Sequence, residues 1–119
     1  MTQRLTLHTR ATSAGPIMEL VGELDRHTAS DVRTALLELD LRAGQQLVLD
    51  LGHLTFCDST GITVLLAARN HALAANAAIV LAAVPDRVSR IFRIVGLEQV
   101  FPTHPTVRAA EAAWRPTPS

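Results

Sequence analysis

An α/β fold, with a mixed sheet of four to five strands packed against α-helices, is what the order of patterns in this chain predicts. Two segments of strand periodicity flank a turn signal near the N-terminus. Two short apolar runs follow, Leu47–Leu51 and Ala78–Val84, which suit buried strands covered on at least one face. Between and after them stand segments whose apolar residues recur at helical spacing. A hairpin that feeds strand–helix–strand crossovers makes the sheet mixed, because parallel neighbours need a crossover helix packed on the sheet.

Each element has its own local reason. From Gln3 to Arg10, Leu5 and Leu7 alternate with Thr6 and His8, the period of a half-buried strand. Ala14-Gly15-Pro16 signals a turn, and Ile17 to Leu24 pairs back as the second strand. Thr28 followed by Asp31 resembles a capping box, with Asp in place of Glu. Ala29, Val32, Leu36 and Leu39 then mark a helix that Gly44 would stop. Leu47 begins a strand expected to end at Asp50, with a short connection up to Asp58.

The next helix starts near Ser59, with Ile62, Leu65, Leu66 and Leu73 as its inward side, and runs to about Asn76. Ala78 to Val84 is another strand, and Pro85-Asp86 opens a helix with Val88, Ile91, Phe92 and Val95 inward. Gly96 suits the left-handed residue after that helix. Phe101-Pro102 begins a connection to a last helix, Val107 to Trp114, with Trp114 as its docking anchor. Residues 4–114 are thus expected to form one domain core, and the Pro-rich stretch 115–119 a flexible tail.

Composition narrows the function. The chain has 119 residues, 48% apolar and 18% charged, which suits a packed domain and not a disordered one. Eleven basic and eleven acidic residues cancel, so no global field draws the chain to nucleic acid or to an anionic membrane. All eleven basic residues are Arg. The absence of Lys excludes a Walker A loop and Schiff-base chemistry. It also argues against Asp50 as the phosphoacceptor of a receiver domain, which needs a lysine; a carboxylate holding backbone N–H groups fits better.

The single cysteine, Cys57, allows no intramolecular disulfide and is expected to pack, not to react. His8, His27, His53, His71 and His104 lack metal-ligand spacing, so neither a metal nor a cofactor is expected. The N-terminal segment has no apolar signal core, and no stretch is apolar enough to span a bilayer, so the expected location is the cytoplasm.

One tetrapeptide carries chemistry: Asp58-Ser59-Thr60-Gly61, at the start of a helix. The first N–H groups of a helix lack intrahelical acceptors and the dipole there is positive, so a phosphate on Ser59 is readily accommodated. Asp58 serves as N-cap in this scheme; Gly61 permits the tight strand-to-helix entry and keeps the approach to Ser59 open to a modifying enzyme. By itself the tetrapeptide reads as capping and turn chemistry. Its flanks change that.

Gly22-Glu23-Leu24-Asp25 resembles the GELD segment of a known family. Leu47–Leu51, Leu54, Phe56 and Asp58-Ser59-Thr60-Gly61 resemble its central strand and phosphoacceptor loop. Arg87-Val88 through Ile94-Val95-Gly96-Leu97, then Phe101-Pro102, resemble its last stretch in type and order. From about Leu5 to Trp114 the chain is similar to the STAS-domain anti-sigma factor antagonists of bacteria.

That resemblance implies a single STAS domain that acts as a protein switch and not as an enzyme. The unphosphorylated form would bind an anti-sigma factor, an ATP-dependent serine kinase, and free a sigma factor. Phosphorylation of Ser59 would end the binding, and a PP2C-type phosphatase would restore it. The partner surface implied comprises Asp25, Asp58, Ser59, Thr60 and Gly61. Thr60 replaces the second serine common in the motif and puts another hydroxyl beside the acceptor.

Asp25 reads equally as a loop or capping residue and as a partner contact. Arg87, Arg90 and Arg93 form a basic stripe, read first as a solvated face and second as a dock for an acidic partner. The alternative function is a STAS scaffold subunit of a transporter or sensory assembly, in which Ser59 stays unmodified. A small α/β enzyme is a third reading, and no catalytic set supports it.

Overall fold

The computed structural model of the chain describes residues 4–115. Gln3, the expected start of the first strand, and residues 116–119 of the expected tail lie outside the described residues. β1 (Leu5–Arg10) and β2 (Ile17–Leu24) form the antiparallel hairpin, with Leu7 opposite Leu20. Thr12 closes its turn: the hydroxyl donates to the Gly15 carbonyl at 2.7 Å and accepts from the Gly15 N–H at 3.2 Å.

α1 (Ala29–Glu38) buries Ala29, Val32 and Leu36. Two expectations are corrected here. Thr28 is no capping box, because its hydroxyl turns away from the helix; it donates to the Glu23 carbonyl at 2.9 Å and accepts from the Asp25 N–H at 3.0 Å. The helix also stops at Glu38 and not at Gly44, since Leu39 is already extended (φ −69, ψ 137). Leu39 and Leu41 pack on the core from this extended segment. Gly44 sits in the turn that feeds the next strand and donates its N–H to Asn76 at 3.0 Å.

β3 (Gln46–Cys57) does not end at Asp50. The far half of β2 needs backbone partners, and the supposed connection supplies them in a parallel register: Val21 with His53, Gly22 with Leu54, Glu23 with Phe56, Leu24 with Cys57. Two register shifts accommodate the mismatch. α2 (Ser59–Ala74) and β4 (Ala78–Ala82) follow, then α3 (Asp86–Ile94), β5 (Thr103–His104) and α4 (Val107–Ala113). β5 is a pair of residues added parallel to β4 where only a connection was expected.

The sheet has five strands in the order β1-β2-β3-β4-β5, parallel except for the first pair. Alternation along the strands separates two layers. Met18, Leu20, Leu47, Leu49 and Leu81 face α1, α2 and α3 in the main core, whereas Ile17, Val48 and Val80 face Ala110 of α4. Fully burying a Leu or Met contributes about 1.5–3 kcal/mol, so the main layer dominates stability.

α2 sits rotated from its expected face. It buries Gly61, Val64, Leu65, Ala68 and Ala72; Ile62 and Leu66 are half-buried, and Leu73 is 50% exposed. This helix is apolar on most sides, so periodicity cannot choose a face, and the small Ala68 and Ala72 allow close approach to the sheet. In α3, Val88 and Phe92 are buried and Ile91 is half-buried, but Val95 lies past the helix end and is 52% exposed.

Gly96 (φ +78) is the left-handed residue expected after α3. Its N–H donates to Arg93 at 3.3 Å and that of Leu97 to Phe92 at 2.8 Å, the paired bonds of a Schellman cap. Trp114, at the end of α4, is half-buried and lines a cavity of about 420 Å³ with Gln45, Gln46 and Asn76.

Candidate functional site

Parallel pairing of β2 with β3 sets Leu24 beside Cys57, so the segments that leave both strands start from one rim of the sheet. The Asp58 N–H donates to the Leu24 carbonyl at 3.3 Å and ties the two together. Asp58 is extended (φ −101, ψ −170), and its Oδ1 accepts from the Gly61 N–H at 2.9 Å, the N-cap geometry expected of it. Its carbonyl accepts from the Ile62 N–H at 3.0 Å.

Ser59 is the first helical residue and is exposed. Its carbonyl is bonded by the Thr63 hydroxyl at 3.0 Å, so the backbone is held while the side chain faces solvent. Thr60, the neighbouring hydroxyl, is half-buried. Of the two, Ser59 is the more accessible to an enzyme.

Gly61 fills one of its two expected roles, the tight entry from strand to helix. It is buried, and a Cβ there would stand 2.7 Å from the Leu24 carbonyl oxygen and 2.8 Å from Cys57 Sγ. The glycine therefore exists for contact between α2 and the strand ends, and its open side faces the core and not an approaching protein. Cys57 packs in the same place. Burial first, and then the Asp58 charge, push its thiol up to about 11, so it stays protonated and inert at neutral pH.

Asp25 occupies the matching position after β2 but is only 8% exposed. Its Oδ1 accepts from the N–H groups of His27 at 2.8 Å and Thr28 at 3.1 Å, and its carbonyl from Ala29 at 2.9 Å. Arg4 Nη1 lies 3.9 Å from Oδ2. Burial alone would raise this carboxyl, but the His27 and Thr28 N–H groups, with the charges of His27 and Arg4, bring it below its ordinary range. Of its two roles, the loop and capping one is filled by these bonds.

Two features of the rim were not anticipated. Phe56 is 45% exposed. Strict alternation would put it on the same face as the buried Leu54, but the register shift leaves Thr55 unpaired between them and turns the ring outward. No sequence signal marks that shift. Beside it, Leu54, Thr55, Pro85, Asp86, Arg87 and Val88 line a cleft of about 420 Å³. Arg87 Nη1 donates across the cleft to the Thr55 carbonyl at 3.3 Å.

The remaining polar candidates lie elsewhere. Asp50 accepts the Gly52 N–H at 3.0 Å, as a backbone-holding carboxylate should. His53 Nδ1 lies 3.6 Å from Glu19. Among the described residues, no three His, Cys, Asp or Glu side chains stand close enough to hold a metal ion. Nor is any helix there long and apolar enough to cross a membrane.

The family model described as Mlab, STAS domain matches residues 7–103. An anti-sigma-B factor antagonist of Listeria monocytogenes is 33% identical over 81 residues, which cover 68% of this chain and 71% of that one. The anti-sigma factor antagonist SpoIIAA, solved in its unphosphorylated form, superposes with a TM-score of 0.71 at 20% identity, over 90% of this chain and 95% of that one. A sulfate transporter family protein from Wolinella succinogenes gives a TM-score of 0.74 at 16% identity, over 87% and 86%. The two superpositions establish a common fold.

Proposed function

The chain belongs to the STAS domain family of anti-sigma factor antagonists, and we propose that it works as a partner switch controlled at Ser59. The unmodified form binds an anti-sigma factor with ATP-dependent serine kinase activity, and the bound sigma factor is released. The kinase then phosphorylates Ser59, the complex parts, and a PP2C-type phosphatase resets the switch in the cytoplasm. The observation that carries this reading is an exposed serine at the first position of α2, next to a carboxylate already engaged as N-cap.

Electrostatics explains why the modification can act at the interface alone. A phosphate adds roughly −1.5 to −2 charges. Within the domain it meets the positive end of α2, worth about 0.3–1 kcal/mol at an exposed position, and the opposing charge of Asp58. These nearly offset, so the fold is expected to persist. Against a partner, an unpaired phosphate in a buried contact costs several kcal/mol. A penalty of about 2.7 kcal/mol already weakens binding roughly a hundredfold.

The test is phosphate incorporation from ATP by the anti-sigma factor of the same organism, with the modified residue mapped by mass spectrometry. Ser59→Ala should bind that kinase in the presence of ADP yet take up no phosphate, and Ser59→Asp should bind poorly. Phosphate on Thr60, or undiminished phosphate on Ser59→Ala, would refute the site. An anti-sigma factor that neither binds nor modifies the chain would leave the scaffold reading standing instead.

A further inference from the structure

The triplet Arg87, Arg90 and Arg93 looks uniform in sequence, but the structure divides it. Arg93 is held by Glu98 at 3.1 Å, just past the end of α3. Arg87 and Arg90 are exposed and form no ion pair among the described residues; Arg87 instead reaches the Thr55 carbonyl. At helical spacing, Arg87, Arg90, Ile91 and Ile94 stand at i, i+3, i+4 and i+7, one continuous stripe. Ile94 is 78% exposed. The buried side of the helix, Val88 and Phe92, is a different face.

This flank therefore carries apolar side chains and unneutralised cations together. Asp86, the carboxylate nearest in sequence, lies in the first turn, where the helix dipole already offsets part of its charge. The stripe begins at the cleft of about 420 Å³, whose opposite wall is Leu54 and Thr55 of β3. That wall leads through the exposed Phe56 into Asp58 and Ser59. The cleft and the stripe thus bring apolar and cationic side chains together with one carboxylate, Asp86, and Thr55 on the cleft wall stands four residues before Ser59 in the chain.

We propose that this flank of α3, with Phe56 and the cleft, docks an acidic and partly apolar segment of the same anti-sigma factor whose kinase site faces Ser59. The proposal rests on the function set out above and adds the chemistry of the partner. Phe56 and Ile94 supply the desolvated anchors, and Arg87 and Arg90 select a carboxylate-bearing segment and speed its approach. Salt weakens the long-range attraction from these exposed charges.

The deciding measurement is the dissociation constant of the full-length chain with its anti-sigma factor and ADP, at low and at physiological salt. The combined R87E/R90E substitution should weaken binding by about tenfold or more and flatten its salt dependence. Ile94→Gln should weaken binding by a similar factor at both salts. R93E, at the arginine already paired with Glu98, should change it by no more than about twofold. All these positions are exposed, and unchanged circular dichroism melts would show that the fold is retained. R87E/R90E binding like the wild type would overturn the proposal, as would an equal loss in R93E, which would point to net charge alone. Failure of the wild type to bind would instead overturn the function on which it rests.

Discussion

The two loops that leave β2 and β3 share one rim and a similar opening, a carboxylate directly after a buried strand end, yet they use it differently. Asp25 is 8% exposed and spends its carboxylate on its own loop, with two N–H groups and Arg4 around it. Asp58 accepts one N–H as N-cap and leaves the next side chain, Ser59, in solvent. The lesson is that a rim carboxylate can serve as a fastener or as the frame of a presented group. Which one it becomes depends on what the following residues bond to.

Substitutions that damage the shared frame should have the largest effect. Gly61→Ala forces a Cβ against the Leu24 carbonyl and Cys57 Sγ, both held by the sheet. In place of the usual gain from Gly to Ala in a helix, it should destabilise by about 1–3 kcal/mol in denaturant titration. A stabilised variant would show that the two strand ends can separate, and would erase the common frame.

Asp25→Asn comes next and should lower the denaturant midpoint in a pH-dependent way. The folded carboxyl titrates below its ordinary value, so its stabilisation is present above the unfolded value of about 3.9. That contribution is lost as pH falls through the lower folded value. Wild type and variant should therefore differ at neutral pH and converge in acid. A gap that stayed constant down to low pH would mean that the charge of Asp25 is not what fastens the loop.

The presenting loop should be softer. Asp58→Ala removes one cap bond and should cost about 1 kcal/mol. Ser59→Ala, with its side chain in solvent, should stay within about 0.5 kcal/mol of wild type while abolishing phosphate uptake. A larger loss at Ser59 than at Asp58 would reverse the contrast between fastener and presented group.

Much of the rim was legible because it is local chemistry. Asp58 ahead of a helical segment specifies an N-cap, Gly96 specifies a left-handed residue, and Ala14-Gly15-Pro16 marks the hairpin, all through bonds within a few residues. Thr28 shows the limit of such reasoning. Its hydroxyl matched a capping box, yet the carbonyl of Glu23 and the N–H of Asp25 were better partners once β2 had turned into α1. Leu73 shows another, since a helix that is apolar on most sides gives no preferred face until a sheet is present.

By itself, the sequence determined the layering of strands and helices, the helix start that frames Ser59, and the absence of lysine chemistry, because periodicity, caps and composition are written within short spans. Tertiary structure alone decided that β3 continues to Cys57, that Phe56 turns outward, that Asp25 is fastened, and that Arg87 and Arg90 part company with Arg93. Each of these depends on a partner distant in the chain or brought near by folding: a neighbouring strand that shifts register, a buried loop that demands its own hydrogen bonds, or a glutamate just past a helix end.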